Sequence, residues 1–107
     1  MGEPALRFQL VVQFDYSSVS DRAFLLRFEE DLRKQIEDHS EVDGHDFGSG
    51  EMNIFIFTDE PQQVCAFVIE AARKVAKTPP MRMAYRLLQA DEYEVLWPPE
   101  LTTFTVG

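Results

Sequence analysis

The stretch DGHDFGSGEMNIFIF, Asp43 to Phe57, decides how this chain folds. Its last four residues, Ile54-Phe55-Ile56-Phe57, are apolar on both faces of an extended strand, which marks a strand with neighbours on either side. The residues before the turn alternate more weakly and are interrupted by Gly44. Between the two halves, Gly48-Ser49-Gly50 supplies the positive φ values that a tight reversal needs. The stretch therefore reads as a β-hairpin joining an acidic strand, Glu41 to Phe47, to a central one, Glu51 to Thr58. Register decides which side chains meet. With a three-residue loop, Phe47 pairs with Glu51, His45 with Asn53 and Asp43 with Phe55, which sets the Cβ atoms of His45 and Asn53 ~5 Å apart. A two-residue loop shifts the register and separates that pair. Backbone geometry alone also accounts for the glycines, with the polar side chains blunting an edge strand.

Working outward, Leu6 to Tyr16 alternates with period two, the pattern of a strand with one buried face. Ser17 to Ser20 offer capping oxygens. Phe24, Leu25, Phe28, Leu32 and Ile36 then recur at three- and four-residue spacing, an amphipathic helix running to about His39. After the hairpin, Thr58 or Asp59 can cap a second helix with Pro61 in its first turn. That helix buries Val64, Phe67, Val68, Ala71, Ala72 and Val75 and stops at Thr78-Pro79-Pro80. Met81 to Leu88 forms a fourth strand, and Tyr93 to Trp97 a short fifth strand or tail. The order β-α-β-β-α-β predicts a ferredoxin-like α+β sandwich: a four-stranded antiparallel sheet in spatial order 4-1-3-2 with two helices on one face. One domain spans residues 1–107, with 91–107 as an extension packing on the sheet or on a partner. A swapped or barrel-like β-α dimer is the competing arrangement of the same elements.

This architecture leaves one sheet face open. Val11, Phe55 and Phe57 point to it, an apolar patch that should not stay bare in water. Candidate covers are the tail with Tyr93 and Trp97, a second copy of the chain, or a ligand, so Val11, Phe55, Phe57 and Trp97 form the candidate interface. Arg82 and Arg86 join the same face from the fourth strand. His45, Asp46, Glu51, Asn53 and Arg86 are the candidate ligand-binding residues. A histidine beside a carboxylate suits general-base work, yet no Ser or Cys nucleophile is paired with it. A single histidine without a second ligand motif does not specify a metal. No cofactor is predicted. Cys65 lies beside the apolar stripe of the second helix and reads as a structural thiol.

Ten Lys and Arg against nineteen Asp and Glu give a formal charge of −9. That balance disfavours nucleic acid and anionic membrane surfaces, both of which need cations. The charge is uneven. Between residues 29 and 60, eleven acids face only Arg33 and Lys34, while residues 73–86 carry Arg73, Lys74, Lys77, Arg82 and Arg86 without an acid. An acidic surface of this kind serves solubility or a basic partner. The opening MGEPALRF places an acid where a signal peptide carries positive charge, and residue 6 is Leu where myristoylation wants Ser or Thr. With one cysteine and no long apolar run, the predicted location is cytoplasmic.

The run EVDGHDFGSGEMNIFIFTDEP, the MAYR strand and the EYEVLWP tail resemble a group of small uncharacterised bacterial proteins of similar length. The resemblance spans the chain from the first strand to Pro98 and is most specific in the GHDFGSGEMNIF hairpin. It implies a small bacterial domain, transfers no activity, and directs attention to Gly44, His45, Asp46, Gly48, Gly50, Glu51, Asn53, Arg86 and Trp97. In size and acidity alone, the chain is similar to toxin-neutralising immunity proteins. Two expectations stand together: a non-enzymatic interaction domain that self-associates or binds a basic protein, or a small-molecule site around His45, Glu51, Asn53 and Arg86.

Overall fold

The computed structural model describes residues 6–75 and 79–106. Met1 to Ala5, Lys77 of the basic run and the helix stop expected at Thr78 lie outside the described residues. Within them the elements run β1 (Phe8–Asp15), α1 (Val19–Ile36), β2 (Glu41–Gly48), β3 (Glu51–Thr58), α2 (Pro61–Arg73), β4 (Met81–Leu87) and β5 (Glu94–Trp97). The fold is α+β, with two helices and one antiparallel sheet in the order β2-β3-β1-β4-β5. The expected four strands are five, because Glu94–Trp97 pairs with the outer edge of β4. An unpaired row of N–H and C=O groups on β4 makes that pairing favourable.

α1 starts where Ser18 accepts from the Asp21 N–H, while Asp21 accepts in return from the Ser17 N–H. This reciprocal arrangement satisfies two donors that a helix start would leave free. At α2 the cap position is Glu60 rather than Thr58 or Asp59. Thr58 Oγ1 instead takes the Glu60 N–H, and Asp59 Oδ1 the Arg7 N–H. Both helices pack on one sheet face. There, Leu25, Phe28, Leu32 and Ile36 of α1 and Val64, Cys65, Val68 and Ala72 of α2 meet Leu10, Val12, Phe14, Met52, Ile54, Ile56 and Met83. Residues 98–106 lie over the opposite face, where the Thr105 carbonyl accepts from Gln13 Nε2 and the Phe104 ring packs on Tyr93. Val11 and Ala84 belong to that face, yet both are fully buried. Among the described residues, no helix is long and apolar enough to cross a membrane.

The β2–β3 turn has two residues. Gly48 pairs with Glu51, and Ser49 and Gly50 both have positive φ, 55° and 77°. Two consecutive positive values are the signature of a type I′ hairpin turn. The three-residue loop is thus corrected to two, and the pairings from Phe47 to Gly44 move by one; beyond the irregularity at Asp43, Val42 pairs with Ile56 and Glu41 with Phe57, as a three-residue loop would have set them.

Candidate functional site

The corrected register separates His45 from Asn53. Asp46 stands opposite Asn53 and His45 opposite Ile54, so His45 turns toward the helices and Asp46 toward the other face. A bulge between Val42 and Gly44 places Asp43 outside the ladder. His45 there meets Glu29, the first acid of the 29–60 stretch. Glu29 of α1 is only 5 % exposed, and its Oε1 lies 2.7 Å from His45 Nδ1. Its other oxygen, Oε2, is buried and accepts no hydrogen bond among the described residues, where Arg33 lies 3.9 Å away. The side chain of His45 remains about one-third exposed, at 32 %, and stands edge-on to Phe47. Phe47 in turn carries the guanidinium of Arg22 at 4.5 Å and packs edge-on against Tyr16.

Asp46, Asn53 and Glu51 belong to a different group on the far face. Asn53 Nδ2 donates to Asp46, Gln13 Nε2 donates to Asn53, and Arg82 Nε donates to Gln13. Arg82 also binds Asp15 at 2.7 Å and Glu51 at 3.2 Å. The hydrogen bond to Asp15, opposed by burial and helped by the charges of Asp15 and Glu51, holds the guanidinium above its ordinary pKa. This chain of contacts crosses four strands beneath Thr105. It satisfies the amides of Gln13 and Asn53, which are 3 % and 2 % exposed and would be costly to leave unpaired. Its geometry is that of a sheet clamp and tail anchor.

Arg86 is not brought to these residues. It pairs across from Gln9, four positions along β1 from Gln13, about 13 Å at the rise of a strand. Its guanidinium donates to Gln9 and to the carbonyls of Leu87, Leu88 and Ala90, which holds the chain between β4 and β5. Trp97 lies opposite Met83 on the helix side and lines a hollow of about 230 Å³ with Ile69, Pro79 and Met81. It therefore leaves the proposed interface, while Phe55 and Phe57 remain half-buried on the open face. Burial pushes the Cys65 thiol up in pKa, in keeping with an inert core residue.

Sheet order makes β2 a free edge beside α1. Glu37, Asp38, Glu41 and Asp43 are exposed along this edge and the end of α1. None of the four has a cationic partner or a side-chain hydrogen bond among the described residues. Glu37 caps the C-terminus of α1 and Asp38 follows it, where the helix dipole already concentrates negative charge. No protein-family model, curated protein or solved structure matches the chain.

Proposed function

We infer that the chain is a non-enzymatic interaction domain that receives an extended basic segment of a protein partner along β2. The observation that carries this reading is the row of unpaired acids from Glu37 to Asp43, which enters a sheet edge with free backbone groups. Acids at a helix C-terminus cost about 0.3–1 kcal/mol each, so Glu37 and Asp38 weaken the helix they end and are better explained by a partner. A strand added to β2 would gain main-chain hydrogen bonds, and its Lys and Arg would gain Glu37, Asp38, Glu41 and Asp43. Like charge on two copies of β2 opposes pairing between copies at this edge, which favours a basic partner over a homodimer. The architecture fits a ferredoxin-like βαββαβ core extended by β5, and the acidic docking edge fits a cytoplasmic, immunity-like domain of bacterial type. An enzymatic reading around His45, Glu51, Asn53 and Arg86 has less support, since these residues are spread over two sheet faces and separate rows.

The test uses a labelled dodecapeptide of alternating Lys and Val, titrated by fluorescence anisotropy. Glu37→Lys/Asp38→Lys should weaken binding by at least about tenfold, since each reversal replaces roughly 1 kcal/mol of attraction by repulsion at contact distance in water. Added salt should weaken the wild type in the same direction. Unchanged affinity in the double variant overturns the reading.

A further inference from the structure

Both histidines of this chain are anchored through Nδ1, but by different groups. His39 Nδ1 lies 2.8 Å from the hydroxyl of Ser40, which donates onward to Thr58. His45 Nδ1 lies 2.7 Å from the buried carboxylate of Glu29. A carboxylate oxygen at this distance accepts from Nδ1, so in the neutral imidazole the lone pair lies on Nε2. Nε2 of His45 makes no hydrogen bond among the described residues. A nucleophile oriented by a second group that is itself fixed in place is the recurring arrangement for group transfer. Arg22, on the Phe47 ring beside His45, has no carboxylate partner among the described residues. Arg22 and His45 thus pack against the same Phe47 ring, at 4.5 Å and 5.3 Å from its centre.

We propose that His45 is a phosphoryl-acceptor site, modified on Nε2 by a high-energy phosphoryl donor, with Glu29 as the positioning residue and Arg22 as the cation that meets the transferred charge. In the step, the Nε2 lone pair forms the N–P bond as the bond from phosphorus to the leaving group breaks. The leaving group departs with that electron pair. Nδ1 keeps its proton toward Glu29, so the ring has no proton to release. This inference is independent of the basic-partner reading, because it concerns the helix-side face of β2 and needs no peptide at the edge.

Phosphoramidate, whose leaving group is ammonia, is the probe. Intact mass and ³¹P spectra would follow the reaction near neutral pH, with His39 on the same molecule as the reference that cancels the effect of overall charge. His45 should react about tenfold faster than His39, a barrier difference of about 1.4 kcal/mol. Glu29→Gln keeps the side-chain shape but replaces the charged acceptor by a neutral one, and should bring His45 down to the His39 rate. Imidazole ¹⁵N shifts of the wild type should show the Nδ1–H tautomer at His45, and the thermal transition of Glu29→Gln should stay cooperative. Equal rates at the two histidines in the wild type, or an unchanged ratio in folded Glu29→Gln, overturn the proposal. His45→Gln should abolish the faster phase, and a fast phase that survives it also overturns the proposal.

Discussion

Removing His45 should destabilise the protein through the group it leaves behind. In the wild type, Glu29 is 5 % exposed and its Oε1 has His45 Nδ1 at 2.7 Å, whereas Oε2 has no hydrogen-bond donor. His45→Ala strands that carboxylate in the space between α1 and β2. Losing a hydrogen bond to a buried charged group costs about 1.5–3 kcal/mol. Here the imidazole is one-third exposed and Arg33 stands 3.9 Å from Oε2, so the expected loss is about 2 kcal/mol. Urea unfolding at a slope of about 2 kcal/mol/M should then show a midpoint lower by about 1 M, with the slope unchanged. Glu29→Met, which fills the same site with an apolar chain, should be near neutral, because the desolvation penalty goes with the charge. The double variant should recover most of the loss, a coupling of about 1.5 kcal/mol. If the double variant is as unstable as the two single effects added together, the buried carboxylate is not the cause and the reasoning fails.

Three further outcomes follow from the same geometry. Gly50 has φ 77° in the hairpin turn, so Gly50→Ala should cost about 1–2 kcal/mol while Ser49→Gly stabilises slightly, both read from thermal midpoints. Glu37→Lys/Asp38→Lys should raise the melting temperature of the free protein while it weakens peptide binding, because the same acids oppose the α1 dipole; a lowered midpoint would contradict their assignment to a partner. The thiol of Cys65 is raised by burial and the phenol of Tyr85 by its hydrogen bond to Glu94. For both, the neutral form is favoured in the fold, so their stabilisation is complete at neutral pH. It is lost as pH climbs past the ordinary thiol and phenol ranges, about 8.5 and 10. Urea midpoints should therefore fall on the alkaline side, and a thiol reagent should label Cys65 far more slowly in the native protein than in urea.

The elements were legible because their patterns are local. The apolar run Ile54 to Phe57 marks β3 as central, and it lies between β2 and β1. The register was not legible, since it turns on whether Ser49 accepts a left-handed backbone, and a non-glycine residue there looks like the middle of a longer loop. Glu29 did leave a signal. It falls four residues after Leu25 and three before Leu32, within the buried stripe of α1, and a carboxylate there requires a partner. Counting it with the surface acids concealed the contact with His45. Gln13 and Asn53 gave no comparable sign. They point away from the helices, and only the return of residues 98–106 over the sheet buries them, a tertiary contact that alternation does not encode. Arg86 reads as a free cation in sequence but spends its donors on main-chain carbonyls between β4 and β5.

Docking along β2 is tested most directly by amide-resolved NMR titration with the alternating Lys–Val dodecapeptide. The largest saturable shifts should fall on β2, Glu41–Gly48, and on Glu37 and Asp38 at the end of α1. They should be accompanied by new protection from exchange for outward-facing β2 amides. Shifts centred instead on the face beneath residues 98–106, or no saturable shift on β2, would contradict it.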